Sequence, residues 1–178
     1  MPVGGCLRVV RGLTSAIDVR SGETVTDVLV TTLTITAAVG CGLVAGFFFA
    51  FSVVTMKALG RIVPAQGIAA MQSINVVVLN PWFFSAFFGT AALCVILAIH
   101  AVITWRMPSA VYVVTASVVY FLDVIFVTMA FNVPLNNALA GIAPGGPDAE
   151  RVWTRYLSVW TAWNHVRTVA PIVSARWG

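Results

Sequence analysis

No charged residue lies between Asp27 and Lys57, and most side chains in that stretch are apolar. A soluble domain of this chain's length has a small core and leaves much of its surface in water. A helix needs only about 20 apolar residues to cross a bilayer. The stretch therefore predicts a membrane-spanning helix over residues 28–56, either tilted or extending into the interface. Within it, the spacing of Gly42 and Gly46 predicts a close approach of another helix.

The rest of the chain has the same apolar character. Hydrophobic residues make up 60% of the sequence and charged residues only 9%, whereas soluble domains carry about 25% charged residues. Apolar runs predict two further helices, over about 82–106 and 109–131, and a last amphipathic segment predicts a helix over about 149–177. Pro81 favours a helix start at the second of these four segments. The predicted fold class is all-α, a four-helix transmembrane bundle.

An N-terminal tail and two connecting regions complete the predicted domain organisation. Residues 1–27 are mixed in charge and read as an N-terminal cytoplasmic tail, with disorder left open, before a membrane domain over 28–178. Between helices one and two, Ile68, Met71 and Ile74 recur at helical spacing, which predicts a short interfacial helix. Residues 132–147 are rich in Pro, Gly and Asn and predict a loop.

Charge limits the partners and favours one orientation. The net charge is only +4 and the basic residues are scattered, so the sequence does not predict nucleic-acid binding. The expected location is the bacterial inner membrane, and a modest excess of basic residues on the side of the termini favours both termini in the cytoplasm. The residues compared are Arg8, Arg11, Arg20, Arg106 and Arg176 on one side, and Lys57, Arg61 and Arg151 on the other.

The last helix is the most polar of the four. At 100° per residue, one sector of it gathers indole, phenol, amide and guanidinium groups. This pattern predicts a crossing helix whose polar sector faces the other helices, with an interfacial helix as the alternative. The residues of this sector are Trp153, Tyr156, Trp160, Trp163, Asn164 and Arg167.

Amides flank the predicted helices on one side of the membrane. Four-helix connectivity brings the start of helix two, the end of helix three and the start of helix four to the same face, which predicts a shared pocket. The amides concerned are Asn75, Asn80, Asn132, Asn136 and Asn137. Asn80 and Asn132 have a second interpretation as turn-forming residues beside prolines.

His165 is the strongest candidate for a catalytic base, because imidazole exchanges a proton near neutral pH. Its neighbours Asn164 and Arg167 would stabilise an anion formed by that transfer. A packing role for His165 stays open, as does a structural ion pair of Asp123 with Arg167 or His165. A haem held by His100 and His165 is a further, weaker alternative.

Four sequence stretches resemble the anthrone oxygenase-like family of small membrane proteins. The most specific is the run from Trp160 to Thr168, WTAWNHVRT. The other three are Gly42–Gly46 leading into Phe47–Phe51, Met71–Asn75 followed by Asn80-Pro81, and Phe131–Asn137.

The resemblance implies an oxygenase that converts an anthrone to an anthraquinone with molecular oxygen and without metal or flavin. In that reading His165 removes a proton, and Asn164 and Arg167 stabilise the oxyanion. The residues expected to bind the planar aromatic substrate are Trp160, Trp163, Tyr156, Asn75, Asn80, Asn132, Asn136 and Asn137. The alternative is a non-catalytic membrane subunit, or a lipid- or quinone-binding protein, that packs in a larger complex. Assembly into a homo-oligomer is a further alternative. The protein is expected to be embedded in the lipid bilayer.

Overall fold

The computed structural model describes the backbone of residues 4–105 and 109–175 and the side chains of residues 24–105 and 109–168. Five helices make up this part of the chain. Their bounds are α1 (Gly4–Ala50, continuing through a π-helical turn at Phe51–Thr55 into Met56–Leu59), α2 (Pro64–Val77), α3 (Pro81–Thr104), α4 (Ser109–Ala140) and α5 (Ala149–Ala175). The all-α class is confirmed.

Three helical segments in the described residues are long and apolar enough to cross a membrane. They are Thr24–Leu59, Pro81–Thr104 and Ser109–Ala140. Helix α5 does not belong to this group, because its polar residues lower its hydropathy. These three segments indicate an integral membrane protein. A fourth crossing by α5 and an interfacial position for α2 stay predictions.

The first helix begins earlier than the sequence predicts. Helix α1 begins at Gly4, so the backbone of residues 4–27 is helical where a tail was predicted. The arginines used to predict the orientation on the terminal side lie outside the residues whose side chains are described. The predicted helix ends at Arg106 and Trp177 also lie outside the described residues.

The start of α3 follows the sequence prediction. Asn80 is the N-cap, and its Oδ1 accepts a hydrogen bond of 3.0 Å from the Phe83 amide. Pro81 occupies the first helical turn, where its missing N–H costs nothing. The turn-forming interpretation of Asn80 is therefore confirmed.

The predicted loop over residues 132–147 is wrong in its first half, because α4 continues to Ala140. Two π-helical turns, Tyr120–Phe126 and Thr128–Asn132, precede Pro134. A wider turn accommodates a proline that neither donates a backbone hydrogen bond nor fits a regular α-helical turn. The chain thus keeps a helical path past Pro134, and this path places Asn132 and Asn136 on the bundle side.

Helix α5 packs against the other helices along the sector that the helical wheel predicts. Trp153, Tyr156, Trp160, Asn164 and Arg167 are all buried. Trp153 lies directly against Gly67 of α2, where an added Cβ would come within 2.7 Å of the indole. The aromatic half of α5 therefore forms one core cluster with α2 and the end of α4.

The close approach between α1 and α3 uses a different glycine from the predicted pair. Gly42 and Gly46 have no atom within 4 Å of an added Cβ, so they do not mediate helix packing in this structure. At Gly40 the added Cβ would lie 2.1 Å from Oγ1 of Thr90. The prediction was wrong because a four-residue spacing identifies a helix face but not the direction in which that face points.

Candidate functional site

A cavity of about 420 Å³ lies between the five helices, near the turns that connect α2 to α3. Most of its wall is aromatic. The rings that line it are Phe47, Phe48 and Phe51 of α1, Phe83, Phe84, Phe87 and Phe88 of α3, and Trp160 of α5. Five polar side chains interrupt this wall, namely Asn75, Thr128, Asn132, Asn136 and Arg167.

The aromatic wall follows from helical spacing on two helices. Residues four apart share a helix face, which brings Phe47 and Phe51 together on α1 and Phe83 and Phe87 together on α3. The Phe83 and Phe87 rings are stacked with centroids 5.5 Å apart, and Phe47 approaches Phe83 to 5.0 Å. Such flat apolar walls suit a ligand with fused rings, because ring contacts add to the burial of apolar area.

Asn136 joins α4 to α5 at one end of the cavity. Its Oδ1 accepts hydrogen bonds from the Tyr156 hydroxyl at 2.7 Å and from Nε1 of Trp160 at 2.8 Å. One amide oxygen thus fixes the orientation of two aromatic side chains, of which Trp160 reaches the cavity.

Asn132, one helical turn before Asn136, is 1% exposed and also reaches the cavity. Its Nδ2 donates to the Trp160 carbonyl oxygen at 3.2 Å. Its Oδ1 is buried and has no hydrogen-bond partner among the described residues. An unpaired buried acceptor costs free energy, and a ligand hydroxyl in the cavity would supply the missing donor.

Arg167 is the one charged residue among the described residues that line the cavity, and it is only 2% exposed. Its Nη1 donates to Oγ1 of Thr128 at 3.0 Å, and its Nη2 donates to Oδ1 of Asn164 at 2.5 Å. Its Nε is buried without a partner among the described residues. The guanidinium carbon lies 3.9 Å from the Phe48 ring centre and 5.3 Å from that of Trp160. Neutral groups therefore hold a full positive charge at the edge of the cavity.

Asn164 is fully buried, and its amide is used within the protein. Its Nδ2 donates to the Phe48 carbonyl oxygen at 2.7 Å and to Oγ of Ser52 at 2.6 Å. Its Oδ1 accepts from Arg167, so Asn164 lies where it can orient the guanidinium, and it is not among the residues that line the cavity. A direct action of Asn164 on the substrate stays a prediction.

The structure does not bring His165 into the cavity. His165 is exposed and lines a separate shallow groove with residues of α1 and α5, including Met56, Leu157 and Ala162. The reason is helical geometry, because a residue next to Asn164 points about 100° away from it. Proximity in sequence to Asn164 and Arg167 therefore does not place the His165 side chain on the same side of α5.

Some of the other predicted ligand-binding residues lie at the cavity, and the rest lie away from it. Asn75, Asn132, Asn136 and Trp160 line the cavity, whereas Tyr156 acts on it through Asn136. Trp163 stacks on Phe131 with ring centroids 3.6 Å apart, away from the cavity. Asn80 caps α3, and Asn137 is exposed.

Two alternatives for the charged and histidine residues find no support in the geometry. Asp123 forms no ion pair with Arg167 or His165, and the pair Asp148–Arg151 is the one salt bridge between described residues. His100 lines another cavity, of about 600 Å³, together with Asp27, whereas His165 lies in the groove described above. The two histidines therefore do not face a common haem site. In the described part of the chain, no three His, Cys, Asp or Glu side chains gather into a metal site.

The phenylalanines of α1 and α3 and Thr128 were not identified from the sequence as residues of the cavity wall. Their signal was present as pairs of phenylalanines four residues apart on α1 and α3, but apolar rings in a membrane helix equally fit contact with lipid. Thr128 gave no signal, because a threonine in a membrane helix usually bonds to its own backbone, as this one also does toward Val124.

These features define a class: a helical integral membrane protein with an aromatic, cation-bearing cavity between its helices. Comparison with protein families gives a match to the anthrone oxygenase family over residues 81–176. This match covers more than half of the chain, from the first residue of α3 through α5, and the chain belongs to that family. No curated protein and no solved structure matches the chain.

The matched region contains two of the stretches that carried the resemblance, namely Phe131–Asn137 and the run from Trp160 to Thr168. It also contains most of the polar residues of the cavity, including Thr128 and Arg167. The glycine- and phenylalanine-rich stretch of α1 and the segment Met71–Asn75 lie outside the match.

Proposed function

We propose that the protein is a membrane-embedded oxygenase that oxidises a planar polycyclic aromatic, such as an anthrone, to a quinone with molecular oxygen and without another cofactor. The observation that carries this proposal is the cavity between the helices. It joins a wall of aromatic rings to the buried charge of Arg167, and most of its polar groups lie in the segment that defines the family.

The cavity has the size and polarity that the proposed substrate needs. Small-molecule pockets commonly measure about 300–1,000 Å³ and combine apolar walls with a few oriented polar groups. At about 420 Å³ this cavity lies within that range. Phe84, Phe88 and Met129 line it and are also exposed on the outer face of the bundle. In a bilayer this arrangement would admit a greasy planar substrate from the lipid.

The proposed reaction is balanced with oxygen as the only co-substrate. The anthrone loses a proton from its methylene group to give an electron-rich enolate, which transfers electrons to oxygen and forms a carbon–oxygen bond. The resulting hydroperoxide loses water, and the former methylene carbon becomes the second carbonyl group. Anthrone and oxygen thus give anthraquinone and water.

Arg167 would stabilise the negative charge of the enolate and of the peroxide. A preoriented donor at a developing oxyanion contributes about a hundredfold or more to a rate, and its effect is larger where water is excluded. We assign no proton transfer to His165, because it lies outside the cavity. A positive charge beside the enolate oxygen would itself favour loss of the methylene proton to solvent.

The membrane arrangement belongs to the same proposal. Helix α5 would form the fourth crossing, with its buried polar sector facing the bundle and its apolar residues, such as Val166, facing lipid. Helix α2 would lie at the interface. The excess of basic residues on the side of the termini supports an orientation with both termini in the cytoplasm, and the proposed location is a bacterial inner membrane.

The test is turnover of a model anthrone by the purified protein in an uncharged detergent under air. We expect oxygen consumption equal to the anthraquinone formed, and incorporation of one labelled atom from heavy oxygen gas into the new carbonyl. Arg167→Met should lower the rate about a hundredfold, whereas Arg155→Met, on an exposed residue of the same helix, should not. A wild-type rate equal to that of anthrone without protein would contradict the enzyme proposal and favour a binding protein.

A further inference from the structure

The charge of Arg167 has no counter-charge among the described residues. Thr128 and Asn164 accept its hydrogen bonds but are neutral, and the Phe48 ring under the guanidinium carries only a partial negative charge. The sole ion pair in the described residues, Asp148–Arg151, lies on the surface. A buried charge without a partner is costly and normally marks a place where an opposite charge binds.

The guanidinium faces the cavity rather than the outside of the bundle. Arg167 lines the cavity together with Thr128, Asn132 and Trp160, and its Nε is a buried donor without a partner. Because the surrounding wall is apolar, the electric field of Arg167 is weakly screened there. An anion in the cavity would neutralise the charge and satisfy the free donor.

The titratable groups near Arg167 do not provide that anion. Helix α1 contributes the Phe48 ring, helix α3 contributes phenylalanines and helix α4 contributes Thr128, none of which carries a charge. Asp123 of α4 forms no salt bridge with Arg167. On α5, Tyr156 interacts electrostatically with Arg167, whereas His165 lines a separate groove. The Tyr156 hydroxyl donates its proton to Asn136 and is therefore the neutral phenol.

We infer that the cavity binds planar aromatics in their ionised form, as phenolates or enolates whose charged oxygen lies beside Arg167. This inference rests on the proposed function for the shape of the ligand and adds its charge state and the acidic hydroxyl or enol group that it must carry. On binding, the proton of that group leaves to solvent. The ligand class therefore includes hydroxylated aromatic products and analogues that undergo no oxidation.

A phosphate group of a lipid would supply the same charge to Arg167. The aromatic wall favours a ring-bearing anion, because a phosphodiester has no rings to pack against Phe83, Phe87 and Trp160. Competition between the two kinds of anion separates them experimentally.

The experiment measures the ionisation of a bound dye, which requires no turnover. A monohydroxyanthraquinone changes its absorption when its phenol ionises. Its ionisation midpoint is compared in uncharged detergent alone and with excess protein. The wild-type protein should lower the midpoint by about one pH unit or more, which corresponds to a tenfold or greater preference for the anion. Arg155→Met should behave as the wild type.

Variants of Arg167 separate charge from packing. Arg167→Met should bind the dye and unsubstituted anthraquinone but leave the ionisation midpoint at its value in detergent. Arg167→Lys should retain part of the shift, because it keeps the charge but loses the planar fork. Binding of unsubstituted anthraquinone by each variant shows that the cavity is intact.

Three results would overturn the inference in distinguishable ways. Equal midpoints in the wild type and Arg167→Met would refute anion binding and leave the oxygenase proposal standing. Displacement of the dye by vesicles of phosphatidylglycerol but not of phosphatidylcholine would assign the anion to a lipid. Failure of the wild type to bind either the dye or anthraquinone would refute both the inference and the proposed function.

Discussion

The guanidinium of Arg167 lies over the ring of Phe48, with the guanidinium carbon 3.9 Å from the ring centre. The carbonyl oxygen of Phe48 also accepts a hydrogen bond from Asn164, which in turn accepts one from Arg167. Arg167 and Asn164 of α5 thus contact the ring and the backbone of a single residue of α1. This arrangement fixes the charge at the edge of the cavity.

Replacing Asn164 with Ala should release the Arg167 side chain without removing its charge. The loss of three buried hydrogen bonds should lower the free energy of unfolding by about 1–3 kcal/mol. The shift in dye ionisation should shrink but not vanish, because the cation stays nearby. Thermal unfolding in detergent and the dye titration measure the two effects.

The matched control for this change is Asn137→Ala, since Asn137 is an exposed amide on α4. It should change neither the unfolding temperature nor the dye midpoint. If Asn164→Ala lowered stability but left the full shift in place, Asn164 would be a packing residue without a role in positioning Arg167.

Replacing His165 with Ala should leave turnover and dye binding within about twofold of the wild type. His165 is exposed and lines a groove apart from the cavity, and exposed substitutions rarely change stability by more than about 0.5 kcal/mol. Steady-state rates over a range of pH provide the measurement. A loss of about a hundredfold in His165→Ala, with normal folding, would restore histidine as the base and argue against the cavity assignment.

Asn136 should tolerate replacement by Asp but not by Leu. Its Oδ1 accepts from both Tyr156 and Trp160, and an aspartate keeps that acceptor. Leucine would leave two buried donors unpaired, at a cost of about 1–3 kcal/mol each, and would free the Trp160 ring to turn away from the ligand. We expect Asn136→Leu to unfold at a lower temperature and to bind anthraquinone more weakly than Asn136→Asp. Equal behaviour of the two variants would show that the shared acceptor has no role.

Replacing Gly40 with Ala should destabilise the contact between α1 and α3. The new methyl group would lie 2.1 Å from Oγ1 of Thr90, and overpacking of this kind costs about 1–3 kcal/mol. The double variant Gly40→Ala with Thr90→Ala should recover part of the loss. Gly42→Ala provides the control, because nothing lies within 4 Å of its added Cβ. Similar losses of thermal stability in Gly40→Ala and Gly42→Ala would contradict this packing.

The inward face of α5 could be predicted from the sequence because a helical wheel depends only on spacing. Trp160, Asn164 and Arg167 fall on one sector, and all three are buried. The same wheel turns His165 about 100° away from Asn164. The prediction of a catalytic role for His165 depended instead on its polar neighbours in the sequence. The helical path past Pro134 could not be predicted, because π-helical turns give no clear composition signal.

The partners of the α5 residues were outside the reach of sequence reasoning for a different reason. Thr128, Ser52 and Phe48 come from helices distant in sequence, and nothing in a single sequence gives the rotation of one apolar helix about its axis. Gly40 shows the same limit, since its contact with Thr90 depends on how α1 and α3 are rotated.

Photochemical labelling with an anthraquinone tests the central claim most directly, because an excited ketone abstracts hydrogen from the side chains beside it. After irradiation of the purified protein, peptide mass spectrometry locates the labelled residues. We expect labels on cavity residues such as Met71, Ile74 and Met129, and protection of these sites by excess unlabelled hydroxyanthraquinone in the wild type. Labels confined to the groove beside His165, at Leu157 or Ala162, would contradict it.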